Sequence, residues 1–161
     1  KFALENRRGP TVLALTRQKI PVLDQSLYAP ARNLACGAYV LTGVENPSLL
    51  LIATGSEVSL ALEAYRALSA HEIRARVISM PSWELFERQT EAYRNSVLPP
   101  VVTARVAVEA GVKFGWERYL GTQGEFVGMK SYGASAPADI AFREFGITVD
   151  AIVNASRKVL A

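Results

Sequence analysis

The chain has 161 residues, half of them hydrophobic and a fifth charged, with 18 basic and 15 acidic side chains and a net charge of +3. That balance belongs to a folded domain and excludes a disordered tail. One cysteine, Cys36, excludes a disulfide scaffold, and the longest apolar stretch, residues 49–53, falls short of the ~20 residues that cross a bilayer.

The segment Lys1 to Asn6 reads as the end of a helix already under way, which suggests that the chain begins inside something larger. Gly9-Pro10 is a strong break. Thr11 to Thr16 is β-rich and apolar in its middle, and predicts a buried strand. Residues 17–35, with Pro21, Pro30 and few periodic apolar positions, read as an extended linker and the best domain boundary in the chain.

Beyond it the pattern becomes regular. Gly37 to Thr42 predicts a strand. Leu49 to Ala53 predicts a central strand covered on both faces, because its apolar run is unbroken. Thr54-Gly55-Ser56-Glu57 opens a helix whose apolar stripe is Val58, Ala61, Leu62, Tyr65 and Leu68. Arg74 to Met80 is the next strand, ended by Pro81, and a short helix follows around Trp83 to Gln89. Arg105 to Val108 and Glu125 to Met129 complete the strands.

Two helices close the chain. The first has Ser135 as candidate N-cap, Pro137 and Asp139 in its first turn, and Gly146 after its end. The second starts near Val149 and carries the stripe Val149, Ile152, Val153, Ser156, Val159 and Leu160. Strands alternating with helices predict an α/β fold with a mainly parallel sheet and helices on both faces.

Groups that could carry chemistry are few. One histidine, His71, leaves little material for a zinc site or a histidine relay. The cations, 13 of them arginines, are scattered along the sequence, so neither nucleic acid nor a membrane is an expected partner. The lone Cys36 suits a reducing, cytoplasmic setting and small apolar packing.

The turn Thr54, Gly55, Ser56 has two readings. Its backbone N–H groups at a helix start could hold an anion. Alternatively, Thr54 and Glu57 form a capping box, and Glu57 would repel a phosphate. Arg17 follows the predicted strand 11–16, at its C-terminal end, where ligands of open α/β sheets bind; a guanidinium there can hold a phosphate through two parallel bonds or simply lie on the surface. Ser56, Ser82, Ser131 and Ser135 have no histidine partner in sequence context. Glu109 ends an apolar strand and reads as a hydrogen-bonded structural carboxylate; Trp83, Phe86, Trp116 and Tyr119 read as core or interface.

Several segments, taken together and in order, resemble one family. They are Gly9-Pro10-Thr11 through Thr16-Arg17-Gln18, Ile52 to Val58, Val77 to Ser82 with Phe86 and Gln89, Tyr93 to Pro99, Arg105 to Gly111, Gly133 to Ala138, and Phe145 to Val149. The ordered set is similar to the C-terminal portion of transketolases. The resemblance implies a three-layer αβα fold with five mostly parallel strands and one antiparallel strand at residues 37–42. It places 1–18 at the end of the pyrimidine-binding domain as its last strand, 19–32 in a linker, and 33–161 in the C-terminal domain.

By the same resemblance, the parent enzyme would transfer a two-carbon ketol unit from a ketose phosphate to an aldose phosphate. It would use thiamine diphosphate and Mg, work as a cytoplasmic homodimer, and need the remaining transketolase domains. This chain alone would hold neither cofactor nor metal and would be inactive, contributing domain packing and dimer structure. The family's Ser-Arg-Gln motif, whose arginine binds the sugar phosphate, matches Arg17 before Gln18, with Thr16 in place of the serine. No catalytic residue, cofactor contact or metal ligand carries over, so neither Glu57 nor Glu109 takes the role of the family's cofactor-activating glutamate. Alternatives are a stand-alone α/β binding module, or the C-terminal domain of a deoxyxylulose phosphate synthase or pyruvate dehydrogenase β-type subunit.

Overall fold

The computed structural model describes residues 2–16 and 18–161. Five strands form one sheet in the order β1-β3-β2-β4-β5. They are β1 (Tyr39–Gly43), β2 (Leu49–Ala53), β3 (Ala75–Ser79), β4 (Arg105–Val112) and β5 (Glu125–Met129). β2 pairs in parallel with both β3 and β4, β5 pairs in parallel with β4, and β1 lies antiparallel to β3. The predicted αβα fold, with its single antiparallel strand at the first strand position, is the fold observed.

The layers follow from alternation along β2. Leu49, Leu51 and Ala53 face one core, and Leu50 and Ile52 face the other. All five residues of β2 are buried, which is why its apolar run has no polar breaks. The first core is closed by α2 (Val58–Ser69), α6 (Ala138–Glu144) and α7 (Val149–Leu160); α2 contributes Ala61, Leu62, Ala64 and Leu68, and α7 contributes Ile152.

The second core is closed by α3 (Trp83–Glu87), α4 (Glu91–Val97) and α5 (Glu117–Leu120). It is aromatic: Phe86, Trp116 and Tyr119 are buried there, and Trp83 meets Trp116 edge-on at 5.2 Å between ring centroids. These side chains are core, as the sequence suggested. Gly37 sits where this layer joins β1; its φ is +80°, and an added Cβ would fall 2.1 Å from the Phe86 backbone nitrogen.

Two elements differ from expectation. The predicted strand at Thr11 to Thr16 is not a strand, and its apolar side chains Val12, Leu13 and Leu15 are 87, 69 and 81 % exposed. Together with the short α1 (Phe2–Glu5) it forms an arm before the sheet. A strand needs a neighbour for its backbone groups, and among the described residues neither sheet edge, β1 nor β5, pairs with it.

The helix expected to be capped by Ser135 instead starts at Ala138, with Pro137 in the cap position. A proline disfavours helical geometry in the residue before it, so Ala136 cannot lie within the helix. Asp139 does sit in the first turn, and Gly146, with φ +70°, ends the helix as expected. In α7 the Thr148 hydroxyl caps by accepting from Ala151 N–H at 3.1 Å, and the predicted stripe faces inward from Val149 to Val159, with Ile152 and Ser156 buried, while Leu160 at its end is exposed.

Candidate functional site

In this sheet the chain leaves the C-terminal end of β2 towards β3 and leaves that of β4 towards β5. Neighbouring parallel strands whose connections diverge make a topological switch point, the place where open α/β sheets bind ligands. The turn Thr54-Gly55-Ser56 and Glu57 lie at this point, directly after β2.

Glu57 fills it. Its residue is 4 % exposed, although it precedes a helix on the sheet's open edge. Its Oε1 accepts from the Ser56 hydroxyl at 2.6 Å, and its Oε2 accepts from the Ala110 backbone N–H at 3.2 Å. Ala110 belongs to an irregularity in β4, where the register with β5 shifts between Glu109 and Val112. A bulge frees backbone groups from the ladder, and the carboxylate satisfies one of them from across the switch point. Thr54 precedes the turn in extended geometry and makes no side-chain cap bond, and Gly55 takes φ +56°. The three-residue spacing of a capping box is therefore present without its bonds.

Next to the turn lies a cleft of about 410 Å³ lined by, among others, Gln18, Lys19, Ser56, Arg143 and Thr148. Asp139 sets a carboxylate on the same wall. Arg17, the candidate phosphate ligand, lies outside the described residues; its neighbours Gln18 and Lys19 border this cleft.

The other candidates are structural in their contacts. Glu109 accepts from the Trp116 indole N–H at 2.7 Å, which anchors the aromatic core to the end of β4. Ser82 accepts from Leu85 N–H as the N-cap of α3. Cys36 is half-buried, and His71, Ser131 and Ser135 are exposed. Among the described residues no group of three or more His, Cys, Asp or Glu side chains could hold a metal ion. Nor is any helix among them long and apolar enough to cross a membrane.

Two cations stand within the predicted strands, Arg76 buried and Arg105 half-buried. Arg76 on β3 and Arg105 on β4 both lie in register with Leu50. Arg76 donates to the carbonyls of Ser96, Glu45 and Val44 at 2.9, 2.8 and 3.3 Å, and its Nε finds no acceptor among the described residues. Arg105 donates to the carbonyls of Val102, Tyr119 and Pro99 at 2.8, 2.7 and 3.0 Å. Burial lowers the pKa of both. The signal available in the sequence was a charge inside an apolar strand, which a folded chain keeps only when it is hydrogen-bonded.

A third cluster centres on Glu87, which accepts from Arg94 at 2.9 Å and from the Tyr119 hydroxyl at 3.0 Å. Burial and this carboxylate push Tyr119 up to about 12.

At the switch point the crevice between β2 and β4 holds the Glu57 carboxylate, bonded to the Ala110 N–H.

Comparison with known proteins agrees with the fold. A family model described as the transketolase-like TK C-terminal domain matches residues 37–148. A transketolase of Geobacillus stearothermophilus is 46 % identical over 162 residues, covering 99 % of this chain and 24 % of its own length. Transketolase 1 of Escherichia coli (strain K12) is 48 % identical over 161 residues, with the same coverage of 99 and 24 %. Among solved structures, a transketolase from Leishmania mexicana superposes with a TM-score of 0.75 at 46 % identity, covering 80 % of this chain and 18 % of that one. The chain thus spans about a quarter of the length of the curated relatives it matches. With its sheet order, its two cores and these relatives in agreement, the chain belongs to the transketolase C-terminal domain family.

Proposed function

We propose that this chain serves a thiamine-dependent transketolase as its C-terminal domain. That enzyme would move a two-carbon ketol unit from a ketose phosphate to an aldose phosphate. The observation that carries this reading is the 46–48 % identity to transketolases across 99 % of the chain. Relatives of that name at that coverage favour it over a deoxyxylulose phosphate synthase, a pyruvate dehydrogenase β-type subunit or an independent binding module.

Thiamine diphosphate supplies the electron sink for carbon–carbon cleavage when bound. We assign it, and Mg, to parts of a transketolase beyond these 161 residues. The role left to this chain is packing. Its arm, residues 1–18, would complete the neighbouring pyrimidine-binding domain, residues 19–32 would link, and residues 33–161 would form the C-terminal domain of a cytoplasmic homodimer. The exposure of Val12, Leu13 and Leu15 supports this, because apolar side chains left in water mark a surface made to be covered.

Arg17 is the one residue assigned to substrate. Its guanidinium, in Thr16-Arg17-Gln18, would hold the sugar phosphate through charge-assisted bonds. The test joins this chain to the N-terminal three-quarters of the Geobacillus enzyme and compares Arg17→Ala with the parent chimera. Loss of one charge-assisted contact, worth about 1.5–3 kcal/mol, predicts that kcat/KM falls about 10- to 150-fold for a phosphorylated ketose. An unphosphorylated ketose should be little affected. Equal losses for both would remove Arg17 from the phosphate site.

A further inference from the structure

We propose that Glu57 is the built-in occupant of this sheet's ligand crevice, and that removing its side chain uncovers a binding site for small carboxylate anions. The proposal stands apart from the transketolase reaction and would survive its failure.

Three observations carry it. The first is position: Glu57 lies between the diverging strands β2 and β4, where sheets of this kind take their ligands. The second is the pair of donors. The carboxylate is held by the Ser56 hydroxyl from its own turn and by the Ala110 N–H from β4, two elements brought together only by the fold. Each oxygen has its own donor, at 2.6 and 3.2 Å, which is how a bound carboxylate would be recognised. The third is burial. A carboxylate that is 4 % exposed and has no cationic partner among the described contacts is retained only where hydrogen bonds replace its water.

The start of α2, a helix of 12 residues, adds its favourable field for negative charge. Ser56 also lines the neighbouring 410 Å³ cleft, where the charges of Lys19 and Arg143 favour an anion and that of Asp139 opposes it. Glu57 also ties the irregular end of β4 to β2, so it positions Ala110 and Gly111.

The experiment is chemical rescue of Glu57→Ala in the full 161-residue chain. Formate and acetate are titrated while the backbone amide signals of Ser56 and Ala110 are followed by NMR, with chloride at equal ionic strength as control. The expected result is a saturable shift of both amides in Glu57→Ala, with Kd on the order of 10 mM, and none in the native chain. Hydrogen exchange at Ala110 should be about tenfold faster in the variant and slow again when formate is bound. No saturable shift in Glu57→Ala, or the same shift in the native chain, overturns the proposal.

Should Glu57→Ala fail to fold, Glu57→Gln decides. The amide keeps the crevice filled: its oxygen can still accept from Ala110 N–H and its NH2 can donate to the Ser56 hydroxyl, so formate should cause no saturable shift of either amide. A saturable formate shift of Ser56 and Ala110 in Glu57→Gln, with the side chain still in place, also overturns it.

Discussion

Replacing Arg105 by methionine should cost far more than an ordinary surface arginine. The guanidinium donates three bonds at 2.8, 2.7 and 3.0 Å to carbonyls of Val102, Tyr119 and Pro99. It thereby fastens the loop after α4 and the end of α5 to the head of β4. Methionine keeps the apolar stem and removes every donor. A hydrogen bond to a charged group contributes about 1.5–3 kcal/mol net.

Three such bonds do not sum, because they share one charge and one desolvation cost, and carbonyls in a surface loop regain some water. The balance is a loss of about 3 kcal/mol, or about 6–12 °C in Tm for a domain of this size. Urea unfolding followed by tryptophan fluorescence measures it directly, since Trp83 and Trp116 lie in the adjoining core. Arg74→Ala is the control: Arg74 is exposed, and its side chain donates to the Asn46 carbonyl at 3.1 Å. Its cost should stay within about 0.5 kcal/mol. If Arg105→Met loses under about 1 kcal/mol, or no more than Arg74→Ala, the carbonyl clamp is not what holds the loop.

Two further outcomes follow from local chemistry. Thr148→Ala removes the cap on Ala151 N–H and should lower stability by about 1 kcal/mol, with faster amide exchange in the first turn of α7 rather than its last. Tyr119 ionises near 10.0 when free and is held up at about 12 by burial and by Glu87. The folded chain therefore keeps this proton where the unfolded chain has lost it. Its contribution is complete below pH 10 and disappears as pH rises towards 12. Unfolding free energies at several alkaline pH values should fall less steeply in Tyr119→Phe than in the native chain. Tyr93, pushed upward by burial and by Cys36, remains as background in both. Identical slopes would remove Tyr119 from the account.

What could be read from the residues was what depends on composition and period. Leu49 to Ala53 announced a strand covered on both faces because every position had to be apolar, and all five are buried. The stripe of α7 was legible from its helical spacing, with Ile152 and Ser156 buried. Thr11 to Thr16 shows the limit of that signal: its composition is equally β-rich, yet strand formation depends on a neighbour that local sequence does not reveal.

Glu57 shows a second limit. Its spacing from Thr54 fits a capping box, but its carboxylate bonds to Ala110, 53 residues away, through a bulge that no local pattern encodes. Arg76 shows a third: the residue itself was visible, whereas its partners at Val44, Glu45 and Ser96 come from loops that only the fold assembles. The family resemblance rested on short segments in order, and it anticipated the sheet with its antiparallel first strand.

The central claim is that this chain completes a transketolase. It is tested by ketol transfer in the chimera that carries these 161 residues in place of the matching C-terminal quarter of the Geobacillus enzyme. The account predicts transfer from a ketose phosphate to an aldose phosphate within about tenfold of the parent rate, with none from the truncated enzyme alone. A chimera that folds and binds thiamine diphosphate yet transfers nothing would contradict it.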